Sequence, residues 1–310
     1  MDSMKRRQFL GLAALLAGVK RIPAAEPPLV IERPVPGRPH AGRVLAAIQP
    51  HADDIPLFAG GTVLKLLDEG YTGYLINITN DDMAGPGTVG QTVLANEEDR
   101  TELVRVMGLK QGFNLNYPNH QMDGISKVEL KSRLIFLIRL LKIDTIFCYN
   151  PWGHDEENPD HYVTAQCVEA ACWMAGMDKD YPEHFAAGLQ PHGVQEKYYF
   201  ARGPQLVNRV VDITGVIERK IDAMLVNKAQ GPAGNNGARL RASLAERKLR
   251  LPILGSDDVT ANREYVREFL LTREEEIGKR YGLKYAEEYH YIGPPTSPIE
   301  DYIKRQSVPL

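Results

Sequence analysis

Cysteine is scarce in this chain. Only three are present among 310 residues, Cys148, Cys167 and Cys172. No Cys-x-x-Cys pair occurs, and the spacings suggest no disulfide framework. Their apolar surroundings favour buried thiols that pack as small hydrophobes. A large excess of one charge is also missing. The formal net charge is -3 and the pI is near 6.3, which gives no reason to expect nucleic acid as a partner. No internal repeat is found. The apolar run Phe9 to Val19 is too short to span a bilayer comfortably. What remains, 43% apolar and 25% charged residues, is an ordinary globular composition.

The ends differ from the middle. Arg6-Arg7 precede the short apolar run, and small residues follow at Ala24-Ala25. Residues 1–25 therefore read as a secretory signal. The Arg-Arg-x-Phe-Leu arrangement resembles a twin-arginine signal, a route that exports folded proteins, so the expected location is periplasmic. An uncleaved membrane anchor is the alternative. Residues 26–42 carry Pro27, Pro28, Pro34, Pro36 and Pro39 and read as a linker. Residues 43–230 alternate short apolar runs with helical periodicity. Strands are predicted over 44–48, 73–79, 113–117, 144–149, 196–201 and 209–212, and helices over 56–69, 93–107, 127–142, 159–174 and 213–229. That alternation predicts an α/β core, a mostly parallel sheet with helices on both faces. Residues 231–310 begin with a Gly-rich loop and continue as charged helices over 239–250 and 257–281, a helical C-terminal extension. Its charged faces offer a lid or a subunit interface, which leaves a homo-oligomer open.

Ligands in parallel sheets bind at the carboxyl ends of strands. Two His/Asp-rich segments lie there. The first is Pro50-His51-Ala52-Asp53-Asp54. His51 and Asp54, three apart on a strand-to-helix turn, can face one ion. Asp53 lies between them, free to take a proton from metal-activated water. Alone the signal is weak, because Asp53 or Asp54 serves equally well as an N-cap for the helix beginning at Pro56. The second segment runs from Gly153 to His161. His161, in the first turn of a helix, supplies a third ligand. Three protein ligands and an open position form the catalytic zinc pattern, although two histidines and one aspartate also suit other divalent ions.

Together the segments resemble the PIG-L/LmbE-like deacetylase family, whose hallmarks are His-Pro-Asp-Asp and a later His-Pro-Asp-His. Further matches are Thr79-Asn80-Asp81-Asp82 with Gly85, the helix Glu98 to Gly108, and Tyr117-Pro118 with Asp123-Gly124, split by an insertion. Val211-Asp212-Ile213-Thr214 followed by Lys220, Ala223 and Gln230 completes a resemblance that covers residues 43–230. It implies a Rossmann-like sheet, zinc held by His51, Asp54 and His161, Asp53 as general base, and hydrolysis of N-acyl groups, typically on N-acetylglucosamine moieties of glycoconjugates. The substrate partner is then a small N-acyl amino sugar or its conjugate. Asn158 stands where the family commonly has a histidine that assists the oxyanion or leaving group. Asn can donate a hydrogen bond there but not a proton. His154 on the same loop is the favoured replacement, and His120 the alternative. Asn96 stands in place of a substrate-binding Arg, Ala52 replaces a Pro, Ile55 a Glu, and Asn227 a His. Asp82, Asn96, Asp123 and Trp152 complete the expected substrate contacts, Trp152 by stacking on a sugar face. An amidase acting on a non-sugar amide and a non-catalytic metal- or carbohydrate-binding relative are the competing readings.

Overall fold

A computed structural model describes residues 28–294 and 297–308. The signal predicted over 1–25 lies outside the described residues. The first elements are β1 (Val30–Glu32), β2 (Val44–Gln49), α1 (Asp54–Phe58), α2 (Gly60–Asp68), β3 (Thr72–Thr79), α3 (Val89–Met107) and β4 (Gln111–Tyr117). There follow α4 (Lys127–Leu141), β5 (Thr145–Tyr149), α5 (Pro159–Met174), α6 (Pro182–Ala186), β6 (Glu196–Phe200), β7 (Arg209–Asp212) and α7 (Ile217–Val226). The last are α8 (Asn236–Glu246), α9 (Asp258–Tyr265), α10 (Thr272–Arg280), β8 (Ala286–Ile292) and α11 (Pro298–Gln306). Among the described residues, no helix is long and apolar enough to cross a membrane.

The strands form one sheet of order β4-β3-β2-β5-β6-β8-β7-β1. Pairing is parallel from β4 to β6 and again between β7 and β1; β8 runs antiparallel to both its neighbours. The Rossmann-like, mostly parallel sheet expected from the sequence is therefore present. Central β2 exposes nothing at Leu45, Ala46, Ala47 and Ile48. A strand covered on both faces must be apolar at every position, which is why it reads as an unbroken run. Helix ends follow local chemistry. Thr88 and Gln91 form a capping box at the start of α3, and Gly108, at φ 74°, ends it in the left-handed conformation. The chain passes from β2 outward through β3 to β4, then returns to place β5 on the other side of β2. The strand order reverses between β2 and β5, and their carboxyl ends open the crevice where such sheets bind ligands.

The structure corrects the sequence reading in three places. The Pro-rich stretch 26–42 is not linker throughout, because Val30–Glu32 pairs with Arg209–Val211 as an edge strand. The predicted helix 56–69 is two helices that meet at Ala59. Gly61 in the second lies so close to Ile213 that a Cβ would sit 2.8 Å from its side chain. The C-terminal extension is not only helical, since β8 inserts between β6 and β7. Its sequence, Ala-Glu-Glu-Tyr-His-Tyr-Ile, hides a buried strand behind charged letters. Glu287 explains how. Its carboxylate accepts from the backbone N–H of Gly61 at 2.9 Å and Thr62 at 2.8 Å, capping the start of α2, and from the Tyr289 hydroxyl at 2.7 Å. Lys220 Nζ donates to Glu287 at 2.6 Å, to Glu274 at 2.7 Å and to the Leu57 carbonyl at 2.7 Å. A buried charge so fully paired and hydrogen-bonded is tolerated in a core.

Candidate metal centre

Buried polar side chains shape the turn after β2. Gln49 donates to Asn77 Oδ1 at 2.6 Å and accepts from the Ile55 N–H at 3.0 Å. The Thr79 hydroxyl donates to the Pro50 carbonyl at 2.7 Å. Asp81, itself held by Arg100 at 2.8 Å, accepts from the Ala52 N–H at 3.2 Å. With the turn fixed, Asp54 Oδ2 accepts from the His51 N–H at 2.8 Å, and Tyr149 from β5 donates to Asp54 Oδ1 at 2.7 Å. The second segment is fixed by its own cap. Asn158 accepts from the Asp160 N–H at 2.9 Å and Pro159 occupies the first turn of α5. His161 is thereby carried into the same crevice, with its ring stacked on Tyr149 at 4.0 Å.

His51, Asp54 and His161 converge, all three buried. His51 Nδ1 lies 3.0 Å from His161 Nε2 and 3.6 Å from Asp54 Oδ2, and His161 Nε2 lies 3.7 Å from Asp54 Oδ1. Bonds of about 2.0–2.1 Å at a tetrahedral angle separate ligand atoms by about 3.3 Å. The observed triangle brackets that spacing, so the residues fit a divalent ion with one side open. The outer ring nitrogens carry carboxylate partners, as metal-binding histidines usually do. His51 Nε2 faces Asp160 Oδ2 at 3.0 Å, which leaves Nδ1 for the ion. His161 Nδ1 faces Glu156 Oε1 at 3.1 Å, a charge contact rather than an aligned hydrogen bond. Burial alone raises the Glu156 pKa, but the close approach of His161 and the bonds from Arg202 outweigh it and bring it down to about 2. Burial alone lowers the His51 pKa, yet the Asp160 bond and the charges of Asp54, Asp81 and Asp53 raise it to about 9. Such a cradle is built for positive charge.

Asp53 occupies the N-cap position of α1 but makes no side-chain capping bond. Its carboxylate faces the cavity and lies beneath the backbone of Gly231, where a Cβ would fall 2.8 Å from Oδ2. Burial, then the charge of Asp54, push its pKa up to about 7, against the pull of His51. The cavity measures about 290 Å³, and Asp53, Asn158, His120, Asn119, Arg202 and Gln230 share its lining with the three ion-facing residues.

The other predicted residues lie elsewhere. His154 and Asp123 are exposed and do not line the cavity. Of the two histidines named from the sequence, the loop turns the favoured His154 outward, whereas the alternative, His120, lines the cavity. The His120 backbone is left-handed at φ 60°, a conformation uncommon outside glycine, and Asp160 fixes it by accepting its N–H at 2.7 Å. Trp152, 53% exposed, packs edge-on against Tyr199 away from the cavity. Asn96 is fully buried, and its amide donates to the carbonyls of Asp81, Ala84 and Thr92, so it braces the cavity wall instead of touching substrate. Asp82 does the same by accepting from the Asn119 N–H at 3.0 Å. Sequence reasoning missed Asn119, Arg202, Tyr149, Asp160 and Glu156. Asn119 is 1% exposed, and among the described residues neither of its side-chain polar atoms has a hydrogen-bond partner.

A mostly parallel α/β sheet with a His-Asp-His centre at its switch point defines the class. Residues 46–172 match the family model PIG-L: GlcNAc-PI de-N-acetylase. A diacetylchitobiose deacetylase from Thermococcus kodakarensis is 26% identical over 189 residues, 60% of this chain and 69% of that protein. Among solved structures, N,N'-diacetylchitobiose deacetylase from Pyrococcus horikoshii superposes with a TM-score of 0.65 at 22% identity, covering 84% of this chain and 89% of its own. The 4-carboxy-2-hydroxymuconate hydratase GalB from Pseudomonas putida KT2440 gives a TM-score of 0.58 at 14% identity, covering 82% and 98% respectively. The fold is thus shared by proteins named for different reactions, and function must be argued from the site.

Proposed function

We propose that this protein is a metal-dependent N-deacetylase that removes an acetyl or similar acyl group from an amino sugar or its conjugate. One observation carries the reading: a half-buried carboxylate, Asp53, stands beside the three-ligand set, faces the cavity and is not used as a cap. The ligand set suits zinc, which when bound supplies a Lewis acid and lowers the pKa of water. Asp53 takes the proton of the attacking water. The water oxygen bonds to the acyl carbon, the C–N bond breaks, and the amine leaves with a proton while the acid departs. Asn158 lines the cavity with its Nδ2 3.5 Å from His161 Nε2, and its amide is the donor available to an oxyanion formed beside the ion. His120, which also lines the cavity, gives a proton to the departing amine, and the proton taken by Asp53 is released to solvent. The free amide of Asn119 suits hydroxyl or amide groups, which supports a sugar over a hydrocarbon amide. Export by the twin-arginine-like signal, delivering the folded enzyme to the periplasm, is part of the same proposal.

The test pairs metal analysis with acetate release from N-acetylglucosamine, N,N'-diacetylchitobiose and simple acetamides. The sugar substrates should be cleaved and the acetamides left. Asp53→Asn should keep its metal while kcat falls at least about 100-fold. Full activity in that variant would remove Asp53 from the mechanism. Bound metal without turnover on any N-acyl substrate would favour a binding role.

A further inference from the structure

Asp99 lies in the middle of α3, far from the ion-facing triangle in sequence. Its Oδ2 accepts two consecutive backbone N–H groups, from Lys228 at 2.7 Å and Ala229 at 2.8 Å. Those residues open the loop that follows α7. The next residue, Gln230, lines the cavity. The one after, Gly231, has φ 87° and presses its backbone on the Asp53 carboxylate, with an added Cβ 2.8 Å from Oδ2 and 3.0 Å from the Asp53 Cβ. The far end of the loop is braced as well, because the Asn236 side chain donates to the Pro232 carbonyl at 2.8 Å. Asp53 has no side-chain capping bond of its own to fix its rotamer. The packed loop is what confines it on that side.

We propose that Asp99 is a positioning residue that acts through the 228–231 backbone to hold the Asp53 carboxylate toward the cavity. The inference rests on the reading of Asp53 as general base. With Asp99 shortened, the two N–H groups lose their acceptor, Gly231 lifts, and Asp53 gains room to turn away. Misplacing a reacting group by about 1 Å costs on the order of 100-fold in rate.

The experiment uses the full chain, loaded with zinc, with acetate release as the assay. Asp99→Ala should lower kcat between about 10- and 100-fold with KM within about twofold and metal content unchanged. Asp99→Asn keeps an acceptor oxygen and should recover most of the rate. Asp99→Glu keeps the charge but moves the acceptor by one methylene and should fall between the two, which serves if the alanine variant does not fold. The deciding comparison is with Asp53→Asn. Asp99→Ala added to Asp53→Asn should cost nothing further, because the group it positions is already gone. An equal loss in both backgrounds, no loss in either, or no recovery with Asn would overturn the proposal. An Asp53→Asn variant as active as the wild type would instead overturn the reading on which it rests.

Discussion

Replacing Lys220 with Met removes one positive charge and little volume from the core. In the wild type Lys220 exposes nothing and donates to Glu274, Glu287 and the Leu57 carbonyl. Breaking a buried pair by deleting one partner costs about 3–5 kcal/mol, since the remaining charge has no counterion. At about 2–4 °C per kcal/mol for a chain of this size class, Tm should drop by roughly 6–20 °C. The pH dependence follows from the groups that face the ammonium. Burial raises the Glu287 pKa, but the Lys220 charge outweighs it and holds the carboxyl below its usual value. Its stabilising contribution is therefore present above the unfolded pKa, about 4.3, and lost as pH falls through the folded value. Lys220 is shifted upward, burial opposing but both glutamates prevailing, so its contribution stays whole until strongly alkaline pH. In the variant, only the hydrogen bonds from Gly61, Thr62 and Tyr289 still oppose burial at Glu287, and the carboxyl takes up a proton more readily. The deficit against wild type should therefore be largest near pH 8 and shrink toward pH 5. Urea unfolding of the full chain at both pH values measures it. A deficit under about 1 kcal/mol, or one equal at both pH values, refutes the reasoning.

Two further outcomes bear on the site. Asp160→Asn removes the carboxylate behind His51, and zinc affinity measured by competition with a chelator should weaken about 10- to 100-fold while the fold is kept. His120→Ala should depress kcat on N-acetylated sugars by about 10- to 100-fold, whereas His154→Ala should stay within about twofold; the reverse pattern would return the leaving-group role to His154.

The core strands were legible because burial on both faces writes them as apolar runs, Val44–Gln49 above all. The ion-facing residues were legible because each lies in a His/Asp-rich segment that comes after such a strand. β1 was not, because three residues among prolines give no periodicity and their partner, β7, is far along the chain. β8 was not, because Glu287 looks like surface charge until Lys220 and the start of α2 are seen to surround it. The same reason hid the supports of the site. Arg202 and Asn119 reach the cavity on loops whose approach depends on tertiary packing, and neither carries a local signal. Asn158 was legible in type but not in full role, since its oxygen caps α5 and only its amide nitrogen is left to face His161.

The late strand at the middle of the sheet sets an order of events. β6 and β7 do not pair with each other; β8, which ends at Ile292, lies between them and pairs with both. During synthesis the first two hundred residues can build the half-sheet β4-β3-β2-β5-β6, while the facing edges of β6 and β7 stay open. Lys220 likewise waits for residues 274 and 287 before it has counterions. The sheet is therefore completed only once β8 has been made, and a nascent or truncated chain that lacks it carries a bare sheet edge of the kind that recruits chaperones or aggregates.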